Sequence, residues 1–250
     1  MKTAQSSSNS QSMAAIGSFY ARAKYFQLRR LVRDGLRSLT KLTIGESDGF
    51  PHLLAESVTP LFTDADPRER PLMLGKNENL RLACDSINGC VLNSGQIFSF
   101  WKQVGPPWRS RGFVMGREVR EGCVVPSIGG GICQLSGSLL EVASLAGLEV
   151  IERHGHTALP ADVPHHPGRD ATVFWNYVDL RFKARVSVRL ECFLTAEQLI
   201  VRVFGRTTAD RSAGLPMAQF TESERNLRSL QKSCYTCGET SCARHPAELE

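Results

Sequence analysis

An α+β fold, with helices packed on a mainly antiparallel sheet, is predicted by three observations. Helical apolar periodicity comes early in the chain, strand-like runs cluster late, and no repeat or regular strand–helix alternation of the doubly wound kind is present. The chain has 250 residues, 42% hydrophobic and 22% charged, with 21 Gly and 12 Pro, as ordinary globular proteins do. Its net charge of +5 is too mild to predict nucleic-acid binding. No stretch approaches the run of about 18 apolar residues that a membrane-spanning helix needs; the richest, Leu139 to Ile151, is broken by Glu141 and Glu149.

Residues 1–16 are polar and low in complexity, and read as a disordered tail. Residues 17–74 form a lead-in that begins with a basic helix. From Phe19 to Leu39, the residues Leu28, Val32, Leu36 and Leu39 recur at helical spacing. Arg22, Lys24, Arg29, Arg30, Arg33 and Arg37 face them with Asp34 as the single acid. Such a helix suits the surface of an anionic membrane; the plainer reading is a solvated face packed on the domain. Residues 40–75, rich in Pro, Asp and Gly, read as loop with short extended pieces. A helix is expected over Asn77–Val91, capped by Asn77 and carrying the stripe Leu80, Cys84, Ile87 and Val91. Extended runs follow near Gln96–Phe100, Gly112–Val119 and Gly122–Pro126. A second helix is expected over Cys133–Ala146, stopped by Gly147. Strands are expected at Glu149–Arg153, Ala171–Trp175, Leu180–Phe182, Val186–Leu194 and Leu199–Phe204, the last two as a hairpin.

No apolar stretch with a cleavage site opens the chain, so a cytoplasmic location is expected, at the inner membrane surface if the basic helix lies on lipid. Thiols stay reduced there, and the eight cysteines must serve packing, catalysis or metal. Cys84, Cys90, Cys123 and Cys192 stand among apolar neighbours and read as small buried hydrophobes.

Cys133 is different. It follows Gly129-Gly-Gly-Ile132 at the start of the second helix, where unpaired N–H groups and the positive end of the dipole favour a thiolate. About twenty residues on, a strand leads into Glu152-Arg-His-Gly-His156, which follows the papain-like and transglutaminase-like order of a helix-borne Cys and a strand-borne His. His154 and His156 alternate, so a continuing strand would point both to one face. Asp170 offers a carboxylate to orient a histidine, and Arg169 a guanidinium for a substrate carboxylate. Gly129, Gly130, Gly131 and Gln134 complete the candidate substrate-binding set. The plainer reading is a tight turn followed by a buried thiol.

These residues carry a resemblance. Leu92-Asn-Ser-Gly-Gln-Ile-Phe-Ser-Phe100, Val104-Gly-Pro106, Gly112-Phe113, Gly129-Gly-Gly-Ile-Cys-Gln-Leu-Ser136, Ala146-Gly-Leu-Glu-Val-Ile-Glu-Arg-His154, Gly168-Arg-Asp-Ala-Thr-Val173 and Asp179-Leu-Arg-Phe182 resemble the VanW family over about residues 75–205. That family is named for an accessory protein of vancomycin-type glycopeptide resistance clusters, and the resemblance implies a link to the cell envelope. His156 matches the family's second histidine. Where the family continues Ser-Ser-Thr-Leu, this chain has Ser136-Gly-Ser-Leu139, and Gly137 is expected to widen a cleft.

Residues 206–233 read as linker. Beyond them Cys234, Cys237, Cys242 and His245 supply four soft ligands in a short element, the number that a tetrahedral zinc site takes; an iron–sulfur cluster is the alternative. The function expected is cysteine-dependent acyl transfer or hydrolysis on peptide-like or cell-envelope precursor substrates. Cys133 would be the nucleophile, His154 or His156 the base, and Asp170 the orienting group. A non-catalytic accessory protein binding an anionic ligand, or a metal site formed by Cys133 with His154 and His156, are the alternatives.

Overall fold

A computed structural model describes residues 39–62, 69–120, 123–156, 166–175 and 177–210, together with helical residues at 24–25, 27–32 and 34–35. The helical residues belong to a separate compact unit ending at Ser38; the fold is that of the unit beginning at Leu39. The tail at 1–16 and the Cys/His element at 234–245 lie outside the described residues.

Among the described residues, nine strands make three antiparallel groups. β1 (His52–Pro60), β9 (Gln198–Gly205), β8 (Val188–Leu194) and β2 (Val91–Leu92) form a sheet in the order β1-β9-β8-β2. β3 (Ile97–Ser99), β7 (Arg181–Lys183) and β6 (Glu149–Glu152) form a second, in the order β3-β7-β6. β4 (Met115–Arg120) and β5 (Cys123–Ile128) pair alone as a hairpin. The helices are α1 (Arg70–Ile87), the short α2 (Phe100–Val104) and α3 (Cys133–Leu145). The α+β expectation holds.

The β8–β9 hairpin is what its alternation dictates. Val188, Leu190 and Cys192 face inward opposite Val203 and Val201, and Thr195 closes the turn by accepting from the Gln198 N–H. α3 lays Leu135, Leu139, Leu140, Val142 and Ala143 against β1 and β9, while α1 packs on β8 and β4. Each of the fully buried leucines contributes roughly 1.5–3 kcal/mol by leaving water. α3 ends as expected: the Leu148 N–H donates to Ala143 O and the Gly147 N–H to Ser144 O, satisfying carbonyls of the last turn.

Three expectations fail. α1 begins at Arg70, not Asn77, because Pro71 fits the first turn, where no N–H is needed; Asn77 lies mid-helix and Val91 belongs to β2. Part of the supposed loop at 40–75 is the nine-residue strand β1. Its inward residues include Ser57 and Thr59, and its register shifts between Leu53 and Ala55, so apolar alternation is hidden. Ala171–Trp175 forms no strand; Phe174 and Val178 pair as an isolated bridge around a tight turn.

Candidate active site

Three elements converge on one thiol. β5 runs into a turn in which Gly129 and Gly131 have φ of 75° and 98°, values closed to most side chains, and α3 then starts at Cys133 itself. α1 holds this turn from beneath. Buried Asn79 donates from Nδ2 to Gly130 O and Val114 O, both at 3.0 Å, and accepts from the Val114 N–H at 2.9 Å. Lys76 passes its stem under Gly131 and donates from Nζ to Leu61 O and to Gln134 Oε1. Burial and the charge of Arg117 pull its ammonium down to about 8.

No side chain among the described residues caps α3. Among the described residues the N–H groups of Gly131, Ile132 and Cys133 donate to no backbone carbonyl, whereas that of Gln134 is taken by Gly131 O. Cys133 is half-buried, its Sγ 3.5 Å from Thr172 Oγ1 and 3.8 Å from Val173 O. The neighbouring His156 imidazole acts on this thiol through hydrogen bonding and charge.

The other ring nitrogen of His156 is held tightly. Nδ1 lies 2.6 Å from Asp170 Oδ1, and the same oxygen accepts the His156 backbone N–H at 3.0 Å. Nε2 is therefore the nitrogen left for the sulfur. Arg153 fixes the carboxylate in turn, donating from Nε to Asp170 O at 2.7 Å with Nη2 3.6 Å from Oδ2. Cys133, His156 and Asp170 stand in sequence, thiol to imidazole to carboxylate.

The electrostatics favour a charged pair. Burial pushes the Cys133 thiol up, but the hydrogen bond and charge of His156, with the Val173 backbone and the Thr172 hydroxyl, hold it below the ordinary cysteine value. Burial alone would depress His156; its bonds to Asp170 and Cys133 and their charges raise it to about 10. Asp170 would be raised by burial, and is instead held low by both bonds from His156 and by the nearby charges. The stabilisation due to raised His156 is complete below its ordinary value of about 6.5 and is lost as pH rises through 10. That due to Asp170 is present above the ordinary carboxylate range and is lost as pH falls through its depressed value.

Other candidates stand apart. His154 lies beyond the end of β6, with Nε2 3.2 Å from Glu152 Oε1 and a side chain 47% exposed, so the two histidines do not share a face. The metal alternative thus loses its second histidine, and among the described residues no group of three or more His, Cys, Asp or Glu could hold a metal ion. Arg169 is bound to Glu141 of α3 at 2.7 Å. Gln134 spends its amide on Thr59 Oγ1, Pro60 O and Lys76, cross-linking the turn to β1. Gly137 opens no cleft: the Arg169 carbonyl packs against it, where a Cβ would collide. Cys84, Cys90 and Cys192 are buried as expected. Cys234, Cys237, Cys242 and His245 lie outside the described residues.

Thr172, Arg153, Asn79 and Lys76 were not singled out in the sequence, yet signals for them exist. Thr172 stands two residues from Asp170, and Lys76 and Asn79 interrupt the buried stripe of α1 at helical spacing. Thr172→Val keeps the shape of the side chain and removes the hydroxyl beside the sulfur. The expected result is a Cys133 alkylation profile displaced to higher pH with the melting temperature little changed, read by iodoacetamide labelling across pH. An unmoved profile would mean that the hydroxyl does not stabilise the thiolate.

No solved structure matches the chain. It is 27% identical over 194 residues to the vancomycin B-type resistance protein VanW of Enterococcus faecalis, covering 76% of this chain and 68% of that protein. It is 36% identical over 108 residues to the protein YoaR of Bacillus subtilis; that match covers 43% of this chain and only 35% of YoaR's length. The VanW-like protein family matches residues 75–204, just over half of the chain and the stretch that carries Cys133, His156 and Asp170, and the chain belongs to that family.

Proposed function

We propose that this chain is a cysteine-dependent acyl transferase or hydrolase acting on peptide-like, cell-envelope precursor substrates. The observation that carries the reading is the order thiol, imidazole, carboxylate: His156 acts on the Cys133 thiol while its Nδ1 lies 2.6 Å from Asp170 Oδ1. In this reading the Cys133 thiolate attacks a substrate carbonyl, and the oxyanion that forms takes donors from the open N–H groups of Gly131, Ile132 and Cys133. Collapse of the intermediate expels an amine, which takes the proton from Nε2 of protonated His156 and leaves a thioester on Cys133. Neutral His156 then accepts a proton from the attacking water or amine, and the acyl group departs. Asp170 keeps Nδ1 protonated throughout and stabilises the imidazolium, without itself gaining the proton. A link to glycopeptide resistance is supported by the name of the relative from Enterococcus faecalis, a vancomycin B-type resistance protein.

Cys133 should be alkylated by iodoacetamide at pH values below the ordinary cysteine range, while buried Cys192, whose thiol burial pushes well up, stays unmodified in the folded protein. Mass-spectrometric mapping of the labelled cysteine reads the result. Equal and slow labelling of both would leave Cys133 a packing residue and favour the non-catalytic accessory role.

A further inference from the structure

We infer that the helical segment before Ser38 is a docking surface for an anionic lipid bilayer. Tyr25, Leu28, Leu31 and Val32 are all exposed, at 58–62%. At 3.6 residues per turn these four fall within an arc of about 120° on one side of the helix. Four large apolar side chains in one contiguous stripe, each more than half open to solvent, form a surface that a solvated helix does not keep.

The charge carried by the same stretch of sequence says what covers the stripe. Between Phe19 and Leu39 the sequence has Arg22, Lys24, Arg29, Arg30, Arg33 and Arg37 against the single acid Asp34. Asp34 lies 3.9 Å from Arg30 Nε and is already compensated. Arg29 borders the apolar arc and is exposed; Lys24 falls inside it, where its long stem lies along apolar surface and the ammonium reaches up to a headgroup. An apolar stripe with a basic margin matches the boundary between acyl chains and anionic headgroups, where burial and charge act together. Among the described residues no helix is long and apolar enough to cross a membrane, so the contact is one of lying on the surface. This inference does not rest on the chemistry of Cys133, and the two are tested by different readouts.

The test is sedimentation of the full chain with vesicles of phosphatidylcholine alone, or with about one third phosphatidylglycerol. The expected result is at least about tenfold stronger partitioning onto the anionic vesicles, weakened by salt. Lys24→Gln with Arg29→Gln should weaken it severalfold. Leu28→Ser with Val32→Ser should abolish it although every positive charge remains, with alkylation of Cys133 unchanged as the check that the domain is folded. Equal partitioning onto both vesicle types, or none, overturns the proposal. So does full binding by the Leu28→Ser, Val32→Ser variant, which would make the segment a site for polyanions in general with its apolar face covered by something else.

Discussion

His156→Ala should move the alkylation profile of Cys133 to pH values above the ordinary cysteine range, not merely back to it. The reason is the balance of effects on the sulfur. Burial is the largest influence on this thiol and opposes ionisation; the bond and charge of His156 are what overcome it. Without the imidazole the thiolate keeps only the Val173 backbone and the Thr172 hydroxyl, against undiminished burial. Any acyl-transfer activity should fall by orders of magnitude, since both the acid and the base function are removed. His154→Ala is the matched control, because that ring sits on Glu152 and its loss should leave the profile in place. Asp170→Asn should fall between the two. The ring then loses the carboxylate that raises it to about 10 and that fixes its orientation, yet remains within reach of the sulfur. A profile shifted by His154→Ala and untouched by His156→Ala would reverse the assignment.

How much of this was legible in the sequence differs from residue to residue. Cys133 was legible because local rules suffice there: glycines that permit a tight turn, followed at once by a helical stripe, put the cysteine in the first turn whatever the rest of the chain does. The choice between His154 and His156 was not, because it depends on where β6 stops. Strand periodicity assumes that pairing continues, but β7 offers its last partner, Arg181, to Glu152. Beyond that point the chain is free to turn, and Asp170 captures both the ring and the backbone of His156. Arg169 and Gln134 misled for a related reason. Both are polar residues near a reactive one, and sequence shows neither Glu141 across the turn nor the edge of β1 that consumes them. α1 and β1 were obscured by composition, since Pro71 reads as loop until it is placed in a first turn, and Ser57 and Thr59 are polar residues facing inward.

Gly137→Ala should cost stability and reactivity together, against the helix propensity of the two residues. In an exposed helix this change would gain about 1 kcal/mol. Here the new methyl would meet the carbonyl oxygen of Arg169, a backbone atom that cannot rotate away as a side chain does. The turn Pro167–Arg169 must move off α3, or α3 must shift on β1 and β9; overpacking of this kind costs roughly 1–3 kcal/mol, and rigid backbone on one side puts it at the upper end. A net loss of about 1–2 kcal/mol is expected, read as a lowered melting temperature. The second effect follows from sequence adjacency. Asp170 is the next residue after the displaced carbonyl, and its Oδ1 is held to His156 by contacts of 2.6 and 3.0 Å that leave little slack. The salt bridge from Arg169 to Glu141, which ties the same turn to α3, would be strained by the same motion. Cys133 should therefore label at higher pH in Gly137→Ala even at temperatures where the protein is fully folded. Lower stability with an unchanged labelling profile would show that the turn yields without carrying Asp170 along, its carboxylate staying with His156 and Arg153.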